Sequence, residues 1–459
     1  MTSNQLSENI KILLLKAKEY LNSNEKEKAL NIYDEVIKIE NENSEAHFNK
    51  ALILTKLQKY KEALRSYDLV IEIKPDFEEA YINRGVILST LMRPIDALKN
   101  FDLAIRFKPE HSIAYNNKGN VLTELSRFDE AIENYEKAVE INPNYAEAFN
   151  NIALLKLLLG KYEEGWKLFE WRWKGPQQKE FRDLKKPLWL GNEVIKNKTI
   201  LITAEQGLGD FIQFYRYCDL VEKLGAKIII ETPKELFSLI QYQNKKNIVI
   251  HKGQPLPIFD FYCPIMSLPL AFKTNIHNIP SSLPYIKIND EKLIFWRSKL
   301  GEKKRTRVGI AWSGAQNKET DYNRSLTLSQ ISQISPLFDL PLDFYSLQKE
   351  VRDIDKDFLS QSKNIYDYHK EIVDFSDTAT LILEMDIIIS VDTSVAHLAG
   401  ALDKPLWILL PHVADYRWMV DRIDSPWYSS ATLFRQKEVN NWDGVIFSIE
   451  RSLRSYIEN

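Results

Sequence analysis

Residues 199–217 read TILITAEQGLGDFIQFYRY, a short β-branched run followed by a glycine turn and an apolar helical pattern. Thr199 to Thr203 predict a buried strand, and Gly207 and Gly209 predict a tight turn that opens a helix. Such strand–turn–helix units build parallel sheets, which bind ligands at the carboxyl ends of their strands. A turn of this kind usually holds a phosphate, but Asp210 introduces a carboxylate into it.

The position of Asp210 argues against a phosphate here. The carboxylate would lie in the first helical turn, beside any anion held by the amides of Gly207 and Gly209. Like charges a few ångströms apart repel by about 4 kcal/mol at an effective dielectric constant of 20. We therefore predict that the helix end stabilises the Asp210 carboxylate, which accepts a proton or hydrogen bond from an acceptor hydroxyl. Glu205 in the same turn is a second candidate carboxylate.

A nicotinamide cofactor is an alternative ligand for this turn. Ile212 replaces the third glycine of the dinucleotide fingerprint, which weakens that interpretation. Glu231, at the end of the next strand, stands where an acid would hold the ribose of a dinucleotide, so the alternative stays open.

The alternation of strand and helix extends to the end of the chain. A first series runs through AKIIIE and NIVI and fades in a proline-punctuated stretch near 262–290. A second series begins at RVGIAW and continues through DFYSLQ, DIIISVD and PLWILLP (307–411). We predict two Rossmann-like domains, at 179–296 and 297–459, that face each other across a cleft. The last segment, VIFSIERSLRSYIEN, predicts an amphipathic helix.

The first third of the chain has a period of 34 residues. Prolines, alanines, aromatics and small residues each recur at this step: Pro75, Pro109, Pro143; Ala63, Ala97, Ala131; Phe101, Tyr135; Gly85, Gly119. This pattern resembles the tetratricopeptide repeat, in which paired helices stack into a superhelix. We predict an array over 1–178, with four repeats and a degraded fifth that ends in GWKLFEWRWKGP, whose tryptophans dock the array onto the region that follows.

A column of asparagines follows the same step, at Asn49, Asn83, Asn117 and Asn151. Asparagine is a poor helix former, so its repeated use indicates a function. We predict that Asn83, Asn117 and Asn151 clamp the backbone of a peptide or protein in the groove of the array. The alternative is a row of solvated polar positions.

The stretch ISVDTSVAHLAGALDKP (389–405) predicts a different helix end, with no carboxylate inside its first turn. Asp392, Thr393 or Ser394 would cap it, and its free amides and positive dipole end suit a diphosphate. His397, one turn later, would add a donor if protonated. The alternative is an ordinary capped helix with a buried histidine.

Two further segments that follow strands supply cations. TDYNRSLTL carries Arg324 and Ser325, and FYSLQKE carries Gln348 and Lys349. An arginine and a lysine at strand ends can neutralise phosphate oxygens without a metal. We expect no metal site and no bound cofactor, since the D-x-D spelling in DIDKD (353–357) is typical of a helical charge run.

Together these segments resemble a bacterial family of tetratricopeptide proteins whose C-terminal region is similar to the heptosyltransferases of lipopolysaccharide synthesis, in the glycosyltransferase B fold. The resemblance rests on AEQGLGDFIQFYRY, Arg324–Ser325, YSLQK, VDFSDTATLI, SVDTSVAHLAGALDKPLWILLP and DYRWMVDRIDSPWYSSATLFRQ. It implies that Asp210 is the base or a carboxylate that orients the acceptor, and that the DTSVAH turn holds a nucleotide-sugar donor. It also implies that the last helix crosses back to pack on the first sheet. Flagellin glycosyltransferases share this domain order, which implies a protein acceptor. Heptosyltransferases lack the array, so a lipid acceptor is not carried over.

The expected function is an inverting, metal-independent glycosyltransferase; the alternatives are a scaffold with an inactive enzyme-like domain and the nicotinamide enzyme. The catalytic candidate is Asp210. Candidate donor-binding residues are Trp312, Ser313, Gly314, Arg324, Ser325, Gln348, Lys349, Asp377, Asp392, Thr393, Ser394 and His397. Candidate acceptor-binding residues are Glu205, Gln206, Gly207, Gly209, Asn83, Asn117 and Asn151. In DYRWMVDR, Arg417, Trp418 and Arg422 are expected to flank the nucleotide, with Trp418 equally explained as core.

Composition narrows the possibilities further. The chain has 459 residues and a net charge of −3, which gives no nucleic-acid footprint. No apolar stretch is long enough to span a membrane, and the start has no basic region before its apolar run, so we expect a cytoplasmic protein. Cys218 and Cys263 are predicted to be buried, reduced thiols.

Overall fold

The computed structural model describes residues 3–175, 182–205, 207–314 and 324–458. The chain divides into two compact units, Met1–Leu155 and Lys156–Asn459. Gln206, one of the predicted acceptor-binding residues, lies outside the described residues.

The first unit consists of paired helices, and helices that follow one another along the chain pack against each other. The helices are α1 Ser3–Asn22, α2 Lys26–Ile39, α3 Ser44–Lys56, α4 Tyr60–Ile73, α5 Glu78–Thr90, α6 Pro94–Phe107, α7 Ser112–Glu124, α8 Phe128–Ile141 and α9 Ala146–Leu158, the last of which ends in the second unit. A side chain at Gly85 would come within 2.7 Å of the Phe101 ring, and one at Gly119 within 2.5 Å of the Tyr135 ring. The small residues and aromatics of the repeat therefore pack against each other, as predicted.

A ladder of ion pairs with the same step of 34 residues joins one repeat to the next. Asp34 pairs with Lys50 at 2.5 Å, and Asp68 pairs with Arg84 at 2.7 Å. Asp102 continues the series with a 2.7 Å contact to Lys118. Each pair links the second helix of one repeat to the first helix of the following repeat.

The boundary between the units falls earlier than the predicted residue 178. Helix α10 (Tyr162–Phe169) belongs to the second unit, where Trp166 packs edge-on against Phe214, Tyr416 and Trp427 at centroid distances of 6.0, 5.8 and 6.5 Å. The aromatic segment that the sequence places at the end of the array thus belongs to the core of the α/β region.

The second unit begins with a four-stranded parallel sheet. Its strands are β1 Thr199–Thr203, β2 Lys227–Thr232, β3 Ile248–His251 and β4 Phe261–Pro264, in the order β3-β2-β1-β4. Its helices are α11 Leu208–Tyr215, α12 Cys218–Lys223, α13 Phe237–Gln243 and α14 Leu268–Ala271. The apolar helical pattern predicted after the glycine turn therefore forms two helices, separated at Arg216–Tyr217.

A six-stranded parallel sheet follows. Its strands are β5 Arg307–Ala311, β6 Asp343–Ser346, β7 Ile365–Asp367, β8 Ile387–Val391, β9 Leu406–Leu410 and β10 Ala431–Arg435, in the order β10-β9-β8-β5-β6-β7. Its helices are α15 Asp290–Leu300, α16 Leu328–Ile334, α17 Asp353–Gln361, α18 Phe375–Glu384, α19 Ser394–Ala401 and α20 Asp443–Glu458. The strand order reverses between β5 and β8, which is where doubly wound sheets bind ligands.

The last helix corrects one prediction. Val445, Ile446, Ile449 and Leu453 of α20 lie in the same buried apolar cluster as Val308 of β5. Helix α20 thus packs on the six-stranded sheet, and the expectation that it crosses back to the first sheet is wrong. The apolar face of α20 is buried against the six-stranded sheet, which directly precedes the helix in the chain.

The predicted boundary at residues 296–297 also shifts, because it falls inside α15. Trp296 of that helix is buried and donates from Nε1 to Asp377 Oδ1 of α18 at 3.0 Å. Helix α15 therefore packs with the second sheet. Both cysteines are buried and unpaired, as predicted. Among the described residues, no helix is long and apolar enough to cross a membrane.

Candidate functional site

A cleft of about 930 Å³ lies between the two sheets of the second unit. The segments that follow β1, β2, β5, β6, β7, β8 and β9 contribute side chains to its walls. These segments all follow the carboxyl ends of parallel strands, the edge at which open α/β sheets bind ligands.

The two predicted turns meet in this cleft. A Cβ atom at Gly209 would lie 2.5 Å from Cδ2 of His397, so the glycine lets α11 approach α19 closely. Asp210, Thr393 and Ser394 consequently line one cavity.

Asp210 forms an ion pair with Arg417, and no sequence pattern predicts this pair. The Arg417 guanidinium donates from Nη2 to Asp210 Oδ1 and from Nη1 to Asp415 Oδ1, the latter at 2.7 Å, while its Nε donates to Gln213. The side chain of Arg417 is 7% exposed and that of Asp210 is 25% exposed. The ion pair joins residues 207 positions apart.

The backbone of the first turn requires a glycine beside this carboxylate. Gly207 has a φ of 80°, in the left-handed region, and a Cβ there would lie 2.1 Å from Asp210 Oδ2. Both features exclude a side chain at this position.

The second turn presents a helix N-terminus to the cleft. Thr393 is the N-cap of α19, but its side chain makes no capping hydrogen bond. Arg324 donates from Nη1 to the backbone oxygen of Asp392 at 2.9 Å, and a side chain at Gly314 would clash with Arg324 Nη2 at 2.4 Å. Burial, and then the nearby Asp415 carboxylate, raise the pKa of Asp392 to about 6.

The His397 imidazole is buried behind the helix end. Its Nδ1 lies 2.9 Å from the hydroxyl of Tyr428, and its ring stacks on Trp418 with centroids 5.4 Å apart. Burial, and then the charges of Arg417 and Arg216, hold the pKa of His397 well below its ordinary value. The ring is therefore neutral near pH 7, which disfavours the expected protonated donor.

Residues that follow β5 and β6 are joined to one another by hydrogen bonds. Gln348 donates from Nε2 to Ser313 Oγ at 3.0 Å, and the Gly314 amide donates to Ser325 Oγ at 2.9 Å. Lys349 lines the cleft, and its ammonium group donates to the backbone oxygen of Ile372.

Two predicted donor-binding residues have other contacts. Trp312 is buried and donates from Nε1 to Asp355 Oδ2 at 2.9 Å, so its indole supports the core. The DIDKD segment is helical, as predicted, and Asp355 within it is fully buried. Asp377 lies at the start of α18, where it accepts from the Val373 amide at 2.9 Å and from Trp296. Neither Trp312 nor Asp377 is among the described residues that line the cleft.

The carboxylates of Glu205 and Glu231 have arginine partners outside the cleft. Glu205 accepts from Arg172 at 2.9 and 3.1 Å and from the Met266 amide at 2.9 Å. Glu231 is fully buried and pairs with Arg182, so it has a partner other than a ribose. Arg422 pairs with Asp424, and Trp418 is fully buried, which places the indole in the core.

In the repeat array, the asparagine column divides into two environments. Asn49 and Asn83 each donate to the backbone oxygen four residues earlier, at 2.9 and 2.8 Å. Asn151 instead donates to the side-chain oxygens of Asn116 and Asn120, both at 3.0 Å. Asn117 is partly buried. The amide hydrogens of Asn151 are therefore used inside the array.

Several cleft residues were missed from the sequence. Asp374 caps α18 through the Ser376 amide, pairs with Lys292 at 2.9 Å, and accepts from Ser238 Oγ of α13 at 2.6 Å. These contacts join the two sheets across the cleft. The signal available in the sequence was the capping pattern DFSD, which marks a helix start but not its distant partners. Other missed residues that line the cleft are Lys234, Glu235, Glu350, Phe375 and Thr378.

Comparison with known proteins identifies the repeats. Tetratricopeptide repeat family models match residues 10–43 and 44–77, and a TPR repeat model matches residues 119–160. The presence of tetratricopeptide repeats is therefore confirmed.

Protein FlbA of Caulobacter vibrioides is 22% identical over 328 residues, which make up 65% of this chain and 54% of that protein. The chain therefore spans about half the length of the curated relative it matches.

Solved structures share similarity with parts of the chain. MamA from Desulfovibrio magneticus is 19% identical, with a TM-score of 0.33 over 38% of this chain and 97% of that one. YrrB, described as a TPR protein with an unusual peptide-binding site, is 20% identical, with a TM-score of 0.31 over 36% and 87% of the two chains. The first TPR of Spaghetti (RPAP3), bound to an HSP90 peptide, is 25% identical, with a TM-score of 0.24 over 25% and 90%.

Proposed function

We propose that the second unit is an inverting, metal-independent glycosyltransferase of the glycosyltransferase B type, and that the repeat array recruits its protein or cell-surface glycan acceptor. The observation that carries this proposal is the contact of Gly209 with His397, which brings the Asp210 carboxylate and the N-terminus of α19 into one cleft. A base for an acceptor hydroxyl and a binding site for a diphosphate are the two groups that such a transfer needs.

The donor is a nucleoside diphosphate sugar. Its diphosphate binds the amides at Thr393 and Ser394, where the helix dipole favours negative charge. Arg324 and Lys349 line the same cleft and neutralise the charge that develops on the leaving group. Removing one such donor from a comparable site raises the barrier by on the order of 3 kcal/mol.

The reaction is a single displacement. Asp210 takes the proton of the acceptor hydroxyl, and the acceptor oxygen bonds to the anomeric carbon. The bond between that carbon and the diphosphate oxygen breaks, and its electron pair leaves with the diphosphate. Attack from the face opposite the leaving group inverts the anomeric centre, and general-base assistance contributes about 10²- to 10⁴-fold.

Thermal unfolding of the full chain with UDP, GDP, ADP and NAD tests the donor assignment. We expect a nucleoside diphosphate to raise the melting temperature, since a ligand at 100 times its Kd stabilises by about 2.7 kcal/mol. A shift with NAD alone would favour the nicotinamide enzyme. No shift with any nucleotide would favour a repeat scaffold whose α/β region is inactive, which the family-model matches to the repeats also accommodate.

Asp210→Asn tests the base. The variant should lose transfer activity without a loss of nucleotide affinity. Asp424→Asn is the matched control, because Asp424 pairs with an arginine, Arg422, but is not among the described residues that line the cleft. Normal sugar transfer by Asp210→Asn would overturn the assignment.

A further inference from the structure

Arg417 connects the two halves of the proposed site. It lies in a short 3₁₀ helix, Tyr416–Trp418, after β9, and its guanidinium faces both Asp210 and Asp415. The guanidinium carbon also lies 4.4 Å from the centre of the Tyr416 ring. This cation is therefore fixed between the catalytic candidate Asp210 and Asp415.

The described lining of the cleft has more carboxylates than cationic side chains. Among the described residues, four cationic side chains and seven carboxylates line the cleft: Lys234, Arg324, Lys349 and Arg417; Glu205, Asp210, Glu235, Glu350, Asp374, Asp392 and Asp415. A diphosphate adds further negative charge to this surface. Arg417 also contributes to the electrostatic environment of Asp392 and His397, so its positive charge reaches the turn where the diphosphate is proposed to bind.

We propose that the donor diphosphate displaces Asp210 from Arg417, so that the carboxylate becomes a competent base only after the donor has bound. This inference rests on the proposed function. An arginine within hydrogen-bonding distance favours the ionised form of a carboxylate and so makes it a weaker base. When the Arg417 guanidinium moves from Asp210 to the diphosphate, the proton affinity of Asp210 rises again. The same movement gives the leaving diphosphate a cation.

The exchange also protects the donor. While the donor is absent, Asp210 stays paired and does not activate water. When the donor is bound, Arg417 stabilises the charge on the departing diphosphate, so the same side chain serves the base and the leaving group in turn.

A double-mutant cycle on the full chain tests the exchange. The Kd of inorganic pyrophosphate, and of the nucleoside diphosphate that gives the largest thermal shift, is measured by calorimetry for the wild type, Asp210→Asn, Arg417→Gln and the double variant. We expect Asp210→Asn to bind both probes about three- to tenfold more tightly, since it removes one competing, partly exposed ion pair. In the Arg417→Gln background this gain should disappear.

The cycle separates exchange from simple repulsion between anions. A gain that persists in the Arg417→Gln background would overturn the proposal, because the Asp210 charge would then act without Arg417. An unchanged affinity in Asp210→Asn would also overturn it, while nucleotide binding would leave the proposed function standing. Failure of both probes to bind would overturn both.

Two additions guard against loss of the fold. Arg417→Lys retains the charge but offers a single point donor, and it should show a reduced gain in the same cycle. Arg454→Gln, which removes an ion pair within α20 at a position that is not among the described residues lining the cleft, should leave probe affinity unchanged. A crystal of the wild type soaked with pyrophosphate should show the Arg417–Asp210 contact broken; an intact contact beside bound pyrophosphate would contradict the exchange.

Discussion

The Arg172 guanidinium donates to both oxygens of Glu205, at 2.9 and 3.1 Å, directly behind the turn that carries Asp210. The two side chains are 1% and 2% exposed, and Ser267 and Glu170 provide further partners for Arg172. This ion pair therefore holds in place the segment at Glu205, from which the turn begins.

Removing one partner of this pair should destabilise the second unit strongly. Arg172→Met leaves the buried Glu205 carboxylate without its cation, and such a loss costs about 3–5 kcal/mol. The free energy of unfolding, measured in urea, should fall by that amount, and adding Glu205→Gln should restore part of it. Arg127→Ala is the control, because its partner Glu130 and Arg127 itself are 52% and 45% exposed. A fall for Arg127→Ala as large as that for Arg172→Met would contradict the argument.

Gly209→Ala should separate the two turns. The added Cβ would lie 2.5 Å from the His397 ring, which is buried and hydrogen-bonded to Tyr428 and cannot move aside easily. Overpacking of this kind costs about 1–3 kcal/mol, so we expect a lower melting temperature and weaker nucleotide binding. Gly444→Ala is the matched control: no atom lies within 4 Å of its added Cβ, and the site is in helix α20. Equal effects of the two changes would remove the steric explanation.

The repeat array and the two sheets were the parts of the fold that the sequence predicted best. A period of 34 residues repeats the same packing problem, so Gly85 with Phe101 and Gly119 with Tyr135 reinforce one another. Strand β8 is apolar except at Ser390 and is buried throughout. Strands β4 and β7 were missed because they have only four and three residues, and β4 ends in a proline. Strand β10 was also missed, although with five residues it is as long as β1.

The sequence predicts the two turns of the candidate site, but it does not predict which distant side chains pair with the residues of those turns. The Gly207 and Thr393 turns follow strands directly, so local sequence reveals them. The Arg417–Asp210 pair joins distant segments and has no local signal. The contacts of Asp355 with Trp312 and Leu328 likewise join distant segments and have no local signal.

Asp392 predicts a dependence of stability on pH. Its pKa of about 6 in the folded chain lies above its ordinary value of 3.8, because burial disfavours the carboxylate. Because the pKa of Asp392 is higher in the folded chain than in the unfolded chain, this group contributes to folding stability at low pH. Its contribution is fully present below pH 3.8 and is lost as the pH rises through about 6. The stability of Asp392→Asn relative to the wild type should therefore increase between pH 4 and pH 7. Urea unfolding at several pH values measures this, and a difference that is constant with pH would contradict it.

The same group predicts how nucleotide affinity changes with pH. A diphosphate bound at the N-terminus of α19 repels the ionised Asp392, so binding favours its protonated form. The affinity of the wild type for UDP, relative to that of Asp392→Asn, should fall as the pH rises from 5 to 7.5. Referring each value to the variant cancels the ionisation of UDP itself. A ratio that does not change would place the diphosphate away from this turn.

The asparagine column predicts a separate effect on the acceptor. Asn83 uses an amide hydrogen on its own helix at 2.8 Å, which leaves a carbonyl oxygen and a second hydrogen for a peptide backbone. Asn83→Ala with Asn117→Ala should raise the KM for a protein acceptor and leave the nucleotide Kd unchanged. Asn134→Ala is the control, because Asn134 makes the same bond to its own helix, at 2.8 Å, but lies in α8 outside the column. If the control raised KM as much as the double variant, the column would have no specific part in binding; if neither changed it, the acceptor would be recognised elsewhere.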